Sequence, residues 1–320
     1  QEQRGDTLAA VCARSRGGDG SYPNPDQLVA LWRARVAAAG GTESVVGHSV
    51  AGRALWRFDL GRRDGDAPAV LLTALIHGNE VIGSIALLEV VTRLADSGAL
   101  RNQRQRLVVL PMANPDGFAA NMDRLDRGLP AWVRGNANGV DLNRNFPLVL
   151  QPGERPSRSP LAGSSWRVSP WFRGPHPLSE PESRVIADVA RDVRPTLALA
   201  FHSFGQLLLH PWGYKRAPHP RASAYRALAD TFLSGRVDSE FEVRQMASWY
   251  SIGGGLDDWL DTAFETFAFT VEVSRLDKRL FHPRVVNPFW WSNPVDKKAA
   301  LDQVVPGVLA LLESRTSSSP

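Results

Sequence analysis

The sequence predicts a single α/β domain. Four apolar runs, over residues 69–76, 106–112, 196–201 and 267–273, have the length and composition of strands that are buried on both faces. Between them lie segments in which apolar residues recur at helical spacing. The 320 residues contain no internal repeat and no interdomain linker. Strands that alternate with helices in one undivided chain are typical of a sheet covered by helices.

The elements are expected in a definite order along the chain. Helices are identified from apolar residues three and four apart, and their starts from proline and capping residues. Residues 118–178 lack periodicity, and so long a loop inside a compact chain is usually functional. In order, we predict a helix from Pro25, a β-hairpin over 45–60, the first buried strand, a helix over 80–94, the second strand with a turn at 114–117, a helix over 182–194 that opens on a capping box at 179–182, the third strand, a helix over 222–233, an edge strand over 241–246, the fourth strand, and a helix over 295–312.

Composition and charge narrow the possible functions. Hydrophobic residues make up 43% and charged residues 22% of the chain, as in an ordinary globular protein with a sizeable core. The net charge is only +4, and no basic run carries interleaved aromatic residues, which argues against nucleic-acid binding. No apolar segment approaches the roughly eighteen residues of a membrane span. The single cysteine, Cys12, is interpreted as an incidental thiol.

Both ends of the chain are predicted to be tails around this domain. Residues 1–20 are expected to form a loosely ordered N-terminal tail, residues 21–313 the domain, and the Ser-rich residues 314–320 a disordered C-terminal tail. The chain starts at Gln1 without a basic and then apolar leader. This fits a secreted or periplasmic protein whose signal peptide has been removed, or an engineered product.

One corner of the predicted fold carries metal-binding residues. The first buried strand stops at His77, Gly78 permits a tight turn, and Glu80 opens the following helix. Open α/β sheets place their ligands at the carboxyl ends of strands. An imidazole and a carboxylate across this corner can bind one metal ion, and mixed N/O ligation favours zinc. The pattern is common by chance, so this interpretation depends on a third ligand at another strand end.

Two other buried strands supply further groups. The third strand ends in His202, and the fourth carries Glu272 as its one carboxylate. Alone, each could be structural, as a hydrogen-bonded histidine or a glutamate paired with an arginine. A carboxylate in a buried strand is costly, however, unless it is paired or linked to a metal. Two histidines and a glutamate make the three-ligand zinc site typical of catalysis, with Glu272 predicted as a base beside the metal.

The long loop adds Asn143 and Arg144, which are suited to clamp a small carboxylate. Asp141 can accept a hydrogen bond from the distal nitrogen of a zinc-bound histidine. A simple turn is the alternative interpretation of this Asn-rich segment. Residues 47–51 nearly match the nucleophile elbow of serine hydrolases, but Ala51 replaces its second glycine and a strand-like run follows where a helix is required.

Five motifs stand together in the order HGNE (77–80), NPDG (114–117), GVDLNRNF (139–146), FHSFGQLLLHPWG (201–213) and VEV (271–273). This set resembles the zinc metallocarboxypeptidase family, of the carboxypeptidase A and B kind, over roughly residues 22–312. The resemblance implies a mixed, mostly parallel eight-stranded sheet sandwiched between helices. It also implies one Zn²⁺ per chain and hydrolysis of the C-terminal peptide bond of peptides or proteins.

The resemblance implies roles for individual residues, most of which lie in or just before the five motifs, while Tyr250 lies in the separate segment WYSIGGGLDDW (249–259). Arg124 and Arg127 lie in the same loop as Arg134 and are alternatives to it. The digestive enzymes carry arginine at the position of Asn79. The sequence His-Gly-Asn-Glu at 77–80 instead resembles the regulatory branch of the family and some bacterial members. The implied zinc ligands are His77, Glu80 and His202, the general base is Glu272, the carbonyl-polarising arginine is Arg134, the carboxylate-binding pair is Asn143 and Arg144, and the mobile tyrosine is Tyr250.

Asp257 bears on the choice of substrate. It falls where the family has the floor of its specificity pocket, and an aspartate there resembles the enzymes that prefer C-terminal lysine or arginine. Gly213 would leave room for a long side chain. An enclosed carboxylate without a cation favours a substrate that brings one. Alternatively, Asp257 ties the loop to an arginine and Asp258 caps a helix at Trp259.

Three functions are consistent with these residues. The first is a zinc carboxypeptidase that favours basic C-terminal residues, expected to be monomeric. The second keeps the chemistry but cuts the γ-D-glutamyl–diaminopimelate bond of peptidoglycan stem peptides. The third is a catalytically inactive peptide-binding module on the same fold, although no expected ligand, base or clamp residue is missing.

Overall fold

A mixed eight-stranded sheet forms the centre of the molecule in the computed structural model. The structure describes residues 22–62, 67–102, 104–150, 152–155, 157, 159–235, 241–276 and 286–317, so the predicted N-terminal tail and Cys12 lie outside the described residues. In chain order the strands are β1 (Thr42–His48), β2 (Ala54–Gly61), β3 (Ala69–Ala74), β4 (Arg106–Leu110), β5 (Leu197–His202), β6 (Leu207–His210), β7 (Glu242–Gln245) and β8 (Phe267–Glu272).

The strands lie in the order β1-β2-β4-β3-β5-β8-β6-β7. The four central strands β4, β3, β5 and β8 run parallel to one another, and β7 runs parallel to β6. Antiparallel pairing joins β1 to β2, β2 to β4 and β6 to β8. The predicted fold class, the hairpin and the edge strand β7 are therefore confirmed.

Helices cover both faces of this sheet because the side chains of each buried strand alternate between two apolar clusters. In β3, for example, Val70 and Leu72 belong to one cluster and Leu71 to the other. The first cluster packs against α1, α2, α5 and α9, and the second against α4 and α7. The helices are α1 (Pro25–Ala38), α2 (Val81–Asp96), α3 (Pro115–Asp126), α4 (Pro181–Val193), α5 (Ala222–Ser234), α6 (Met246–Trp249), α7 (Leu256–Phe264), α8 (Phe289–Ser292) and α9 (Lys297–Ser317), with short 3₁₀ turns at Ala99–Asn102, Leu142–Arg144 and Pro160–Ala162.

Helix α3 lies in the segment that was expected to lack regular structure. Its N-cap is Asn114, whose side chain accepts a hydrogen bond from the backbone N–H of Gly117, and proline occupies the first helical position. Asn-Pro is a turn signal, but Asn as N-cap followed by proline is equally a helix start. Asn114 and Pro115 are therefore compatible with either a turn or the start of a helix, and they do not distinguish the two. Strand β6 and helices α6 and α8, each only four residues long, were not predicted, and α7 was considered only as an alternative, as a helix at Trp259.

Two helices differ from the prediction at one end. The capping box at residues 179–182 is absent: the N-cap of α4 is Glu180, and it makes no side-chain cap hydrogen bond. The carboxylates of Glu180 and Glu182 instead accept hydrogen bonds from Asn136, so tertiary partners replace the local cap. Helix α9 continues to Ser317, so residues 314–317 of the predicted C-terminal tail are helical.

The helix that follows β3 is capped from a distant part of the chain. Glu80 is the N-cap residue of α2, but its side chain makes no cap hydrogen bond. The backbone N–H of Ile82 instead donates to Oδ1 of Asn293 at 3.0 Å, and Nδ2 of Asn293 donates to the carbonyl of Asn79 at 2.7 Å. The carboxylate of Glu80 is thereby left for another use. Among the described residues, no helix is both long and apolar enough to cross a membrane.

Candidate metal centre and catalytic site

Three potential metal ligands meet beyond the carboxyl ends of β3 and β5. Nδ1 of His77 lies 2.9 Å from Oε1 of Glu80, and Nδ1 of His202 lies 2.9 Å from Oε2 of the same carboxylate. The two imidazole Nδ1 atoms are 3.1 Å apart. All three side chains are buried. In the described part of the chain, this is the one group of His, Cys, Asp and Glu residues whose ligand atoms converge closely enough to hold a metal ion.

The turn that carries His77 is held by close backbone packing. A Cβ atom on Gly78 would come within 2.3 Å of the carbonyl carbon of Gly117, so glycine is required at this position. Nδ2 of Asn114 donates to the carbonyl of Arg134 at 3.2 Å, and the N–H of Gly78 donates to the same carbonyl at 3.0 Å. The HGNE and NPDG motifs therefore act together, since the second fixes the turn that presents the first.

Asp141 determines which nitrogen of His77 faces the centre. Its Oδ1 lies 3.2 Å from Nε2 of His77. Burial alone would raise the pKa of Asp141, but Arg134, Arg144 and His77 outweigh it and hold that pKa well below its ordinary value. The ionised carboxylate accepts a hydrogen bond from the N–H at Nε2, which leaves the lone pair of the ring on Nδ1, facing Glu80. These two groups repel each other unless a cation lies between them, so the donor set fits a zinc ion.

Arg134 is the arginine of the long loop that reaches this centre. Its Nε donates to Oδ2 of Asp141 at 2.9 Å, and its Nη1 lies 3.5 Å from Oε1 of Glu80. The guanidinium group is therefore directed at the space beside the metal ligands. Arg124 and Arg127 instead make surface contacts around the end of α3. The geometry favours Arg134 over both alternatives as the group that could polarise a carbonyl.

Glu272 ends β8 and is paired in register with His202 at the end of β5. It is buried, and its Oε2 has no hydrogen-bond partner among the described residues. Burial and then the charge of Glu80 raise the pKa of Glu272 well above its ordinary value, while Arg134 opposes the shift. A carboxylate with increased proton affinity and an unoccupied oxygen is suited to general base chemistry.

Arg144 is a buried cation with an unused donor. Its side chain is fully shielded from solvent. Nε donates to the carbonyl of Leu161 at 2.9 Å and Nη1 to the carbonyl of Asn143 at 2.9 Å, but Nη2 has no partner among the described residues. A buried guanidinium donor is costly to leave unpaired, so this atom fits an anionic ligand. Oδ1 of Asn143 accepts from the N–H of Leu256 at 2.9 Å, which directs the donor end of the amide away from α7.

Tyr250 lies beside Arg144. The guanidinium carbon of Arg144 is 5.9 Å from the centre of the Tyr250 ring. Burial raises the pKa of the Tyr250 hydroxyl above its ordinary value, although Arg144 and Arg134 oppose this. The hydroxyl therefore stays protonated at neutral pH and can donate a hydrogen bond to a ligand held by Arg144.

Asp257 occupies the first turn of α7, where it is buried without a cation. Its Oδ2 accepts from the hydroxyl of Thr270 at 2.5 Å, and its Oδ1 has no partner among the described residues. Burial raises the pKa of Asp257 to about 7, and the hydrogen bond from Thr270 opposes the shift. The described contacts therefore do not include the arginine pairing considered as an alternative for Asp257.

Asp258, not Asp257, ties α7 to the loop after β6. Both of its carboxylate oxygens accept from the backbone N–H of Gly213, at 2.9 and 3.0 Å, and Oδ2 also accepts from the N–H of Tyr214. It does not cap the helix, whose N-cap is Gly255. A Cβ atom on Gly213 would lie 2.9 Å from Sδ of Met246 and 3.2 Å from Oδ2 of Asp258. The close approach of this loop to α7 explains the glycine.

Two residues of the site were not singled out from the sequence. Thr270, which contacts Asp257, lies two residues before Glu272 on β8 and therefore on the same face of the strand, a spacing that could have indicated it. The backbone N–H of Ser203 donates to Oε2 of Glu80 at 3.3 Å. A backbone donor carries no side-chain signal, so no pattern in the sequence could have revealed this contact.

The family profile described as zinc carboxypeptidase matches residues 41–290. The protein therefore belongs to the zinc carboxypeptidase family. This confirms the predicted family and the predicted zinc cofactor, for which His77, Glu80 and His202 form a suitable site.

Individual relatives agree with this assignment. Carboxypeptidase SOL1 of Arabidopsis thaliana is 28% identical over an alignment of 250 residues that covers 72% of this chain and 45% of that protein, so the chain spans less than half of its length. The structure of carboxypeptidase A from Helicoverpa armigera covers 97% of this chain and 80% of its own, with a TM-score of 0.72 and 23% identity. Murein-tripeptide amidase MpaA from Escherichia coli O157 covers 87% of this chain and 92% of its own, with a TM-score of 0.51 and 20% identity. The two structures show that the fold is shared.

The metal centre predicts that zinc content depends on His202. We expect the purified protein to bind one Zn²⁺ per chain, with ligand distances of roughly 2.0–2.2 Å. His202→Ala should lose most of this zinc and its thermal stabilisation by added zinc, since a ligand that binds only the folded state stabilises it. Elemental analysis and thermal unfolding with and without a chelator measure both effects.

The matched control is His48→Ala, because His48 is exposed on β1. This variant should keep the zinc stoichiometry of the wild type. If His202→Ala retained full zinc content, or if the crystal structure of the zinc form placed His77, Glu80 and His202 several ångströms apart, the assignment would be wrong.

Proposed function

We propose that this protein is a zinc-dependent carboxypeptidase that hydrolyses the C-terminal peptide bond of peptides or proteins and favours C-terminal lysine or arginine. The observation that carries the proposal is the unpaired Nη2 of Arg144 close to the metal centre. Nη1 of Arg144 and Nε of Arg134 both lie near Oδ2 of Asp141, at 3.8 and 2.9 Å, so the buried cation and the catalytic groups share one carboxylate. A terminal carboxylate is the ligand that this arrangement suits.

The clamp selects which peptide bond is cut. Arg144 and Asn143 bind the carboxylate of the last residue, and the hydroxyl of Tyr250 donates a further hydrogen bond. Consecutive Cα atoms are about 3.8 Å apart, so the bond just before that carboxylate is the one that lies beside Arg134 and Glu272. The enzyme therefore removes one residue at a time, because an internal residue has no carboxylate to present to Arg144.

Proton transfer is the role of Glu272. When bound, zinc supplies Lewis acidity that lowers the pKa of a water molecule toward about 7. Glu272 is placed to take a proton from a water molecule as the oxygen of that molecule attacks the scissile carbonyl carbon. Arg134 donates hydrogen bonds to the carbonyl oxygen as negative charge develops there. Glu272 then returns the proton to the leaving amine, which balances the hydrolysis.

Asp257 is proposed to select the side chain of the residue that is released. Its buried carboxylate has an unoccupied oxygen and no described cation, so a lysine or arginine side chain would provide the missing partner. Leaving a buried charge unpaired costs roughly 3–5 kcal/mol, which corresponds to about 10²–10⁴ in discrimination against a neutral terminus.

The unpaired donor of Arg144 and the unpaired carboxylate oxygen of Asp257 also suit a second substrate. Diaminopimelate carries both a carboxylate for Arg144 and an ammonium group for Asp257, so a peptidoglycan stem peptide cut at its γ-D-glutamyl bond is the alternative. A murein-tripeptide amidase shares the fold. Turnover of a stem tripeptide compared with a peptide ending in lysine separates the two substrates. An inactive binding module is disfavoured because Glu272, Arg134 and the three metal ligands all have suitable geometry.

Two further properties are proposed, the location of the protein and its oligomeric state. We infer that it is exported from the cytoplasm and acts as a monomer, as expected from the sequence. Fractionation of the source cells and light scattering of the purified protein test these two points separately from catalysis.

The assignment of the base predicts the behaviour of Glu272→Gln. This change is nearly isosteric and removes the group that accepts the proton, so the fold and zinc content should be retained. The rate of hydrolysis should fall by about 10²–10⁴, the usual contribution of general acid–base catalysis. Steady-state kinetics with parallel zinc analysis provide the measurement. Near-normal turnover by this variant would show that Glu272 has only a structural role.

The assignment of the carbonyl-polarising arginine predicts a contrast between two variants. Arg134→Ala should lower kcat by about 10²–10³ because a transition-state hydrogen bond is lost. Arg127→Ala is the matched control, since its side chain pairs with Asp123 at the surface, and it should have little effect. The same peptide substrate is used for both. A large loss in the control, with little in Arg134→Ala, would reverse the assignment.

The specificity proposal predicts a pH-dependent preference. Since the pKa of Asp257 is raised to about 7, its ionised form increases as the pH rises through that value. The ratio of kcat/KM for peptides ending in Lys over Leu should rise over the same range. Asp257→Asn, which keeps the shape and removes the charge, should abolish both the preference and its pH dependence. A wild-type preference for Leu or Phe, or a basic preference that persists in the variant, would refute the idea.

A further inference from the structure

A loop between the 3₁₀ turn at Pro160–Ala162 and helix α4 exposes two large apolar side chains at its tip. Trp166 has 75% and Val168 has 90% of its surface exposed, and Val168 is the most exposed of the large apolar residues in the described part of the chain. One apolar side chain in water is ordinary, but a neighbouring pair on one loop indicates a binding surface. We call residues 164–173 the Trp166 loop.

Backbone hydrogen bonds close the base of the Trp166 loop. The N–H of Ser164 donates to the carbonyl of Trp171 at 2.7 Å, and the N–H of Arg173 donates to the carbonyl of Ser164 at 3.0 Å. Between these bonds Phe172 is buried, and its carbonyl accepts from the N–H of Asp141 at 2.8 Å. The base of the loop is therefore fixed to the segment that carries the site.

The tip of the loop is a turn of its own. The N–H of Ser169 donates to the carbonyl of Trp166 at 3.0 Å, and all four residues from 165 to 168 are exposed. The closed turn keeps the side chains of Trp166 and Val168 at the surface. The loop is thus an ordered projection with an apolar tip.

The sequence around this tip is basic and contains no acidic residue. Residues 155–179 include four arginines and neither Asp nor Glu, whereas the whole chain has 33 acidic residues among 320. Arg167 and Arg173 are exposed, and neither forms an ion pair with a described residue. The guanidinium carbon of Arg167 is 5.9 Å from the ring centre of Phe172, so its charge lies toward the base of the loop. Unpaired cations behind an apolar tip favour a partner that is anionic at its surface and apolar beneath it.

An anionic lipid bilayer has both properties. Tryptophan is enriched at the boundary between head groups and acyl chains, and an aliphatic side chain gains free energy by leaving water for the acyl region. Each arginine near an anionic bilayer strengthens binding about fivefold. A soluble anionic polymer would pair with the arginines but would leave Val168 in water. The exposed valine therefore favours lipid over such a polymer.

We propose that the Trp166 loop docks this protein on anionic lipid bilayers. Trp166 and Val168 enter the boundary between head groups and acyl chains, and Arg167 and Arg173 contact the lipid phosphates. The interaction is peripheral and reversible, because a single short loop buries little apolar surface. The proposal concerns a surface outside the catalytic groups and does not depend on the carboxypeptidase function.

The base of the loop adjoins the arginine proposed to bind the terminal carboxylate. Nε of Arg144 donates to the carbonyl of Leu161 at 2.9 Å, three residues before the loop begins. A Cβ atom on Gly163 would lie 3.7 Å from both Cδ of Arg144 and Cβ of Arg173. A docked molecule therefore holds the Arg144 side of its site close to the bilayer, where it meets peptides at the membrane surface.

The test is sedimentation of the zinc-loaded full chain with lipid vesicles. One set contains phosphatidylcholine alone, and the other contains equal parts of phosphatidylcholine and phosphatidylglycerol. The wild type should bind the anionic vesicles at least about tenfold more tightly, and added salt should weaken this binding. Trp166→Ser/Val168→Ser should lower it on the order of tenfold or more, because the apolar contribution is lost. Arg167→Ala/Arg173→Ala should lower it about fivefold for each charge and reduce its dependence on salt.

The matched control is Val286→Ser/Trp291→Ser, which removes the same two residue types from another exposed segment. Val286 is 83% and Trp291 38% exposed. This variant should bind anionic vesicles like the wild type. Hydrolysis of a short soluble peptide should be unchanged in Trp166→Ser/Val168→Ser. Circular dichroism and zinc analysis identify the folded variants, and Val168→Ser alone repeats the test if the double variant fails to fold.

Several outcomes would overturn the docking role of the loop. These are no binding of the wild type to anionic vesicles, undiminished binding by Trp166→Ser/Val168→Ser, and an equal loss in the control. Binding to dextran sulfate that depends on Arg167 and Arg173, with vesicle binding insensitive to Trp166 and Val168, would identify a soluble anionic polymer as the partner instead. Vesicle binding is measured without turnover, so a protein that binds vesicles but cleaves no peptide would refute the carboxypeptidase function alone.

Discussion

The site depends on one buried carboxylate, Asp141. It is inaccessible to solvent, and it contacts Nε2 of His77 at 3.2 Å, Nε of Arg134 at 2.9 Å and Nη1 of Arg144 at 3.8 Å. Such a charge is tolerated only when cations and hydrogen bonds offset its desolvation. Here those partners are a proposed metal ligand, the proposed carbonyl-polarising group and the proposed substrate clamp. Their spacing is therefore set by a residue that need not touch the substrate.

Three of the eight buried polar side-chain atoms without partners in the described part of the chain are consistent with one ligand. Native proteins leave few buried polar groups unsatisfied. Nη2 of Arg144, Oε2 of Glu272 and Oδ1 of Asp257 are all in this condition among the described residues. A molecule that supplies a carboxylate to the first, a proton to the second and a cation to the third would satisfy them together. A peptide with a basic C-terminal residue, attacked by water, has these groups in this order.

Much of the fold could be predicted because a strand that is buried on both faces of a sheet is a continuous apolar run in the sequence. The apolar runs that form β3, β4, β5 and β8 identified the parallel centre of the sheet, and the polar residues at their ends identified His202 and Glu272. Helix α3 was missed because Asn114 and Pro115 begin a turn and a helix equally well. The prediction of a capping box before α4 was wrong because the carboxylates of Glu180 and Glu182 accept hydrogen bonds from Asn136, which lies 44 and 46 residues away in the sequence.

The parts of the site that escaped prediction have a common physical cause. A contact between two backbones, such as that of Gly78 with Gly117, or between a backbone N–H and Glu80, is specified by shape and not by residue type. The choice among Arg124, Arg127 and Arg134 likewise depends on how the loop folds back. Patterns in a single sequence indicate which types of chemical group a site contains. They do not indicate which of several neighbouring arginines points into the site.

The cap on α2 has a consequence for how the protein is made. Asn293, 211 residues after Ile82, closes the first turn of the helix that begins at Glu80. During synthesis from the N-terminus, all three metal ligands and Glu272 emerge before Asn293 does. A nascent chain therefore has every group needed to hold zinc while the start of that helix is still uncapped. The first turn of this helix is complete only after the segment around Asn293 has been made and has docked against Asn79 and Ile82.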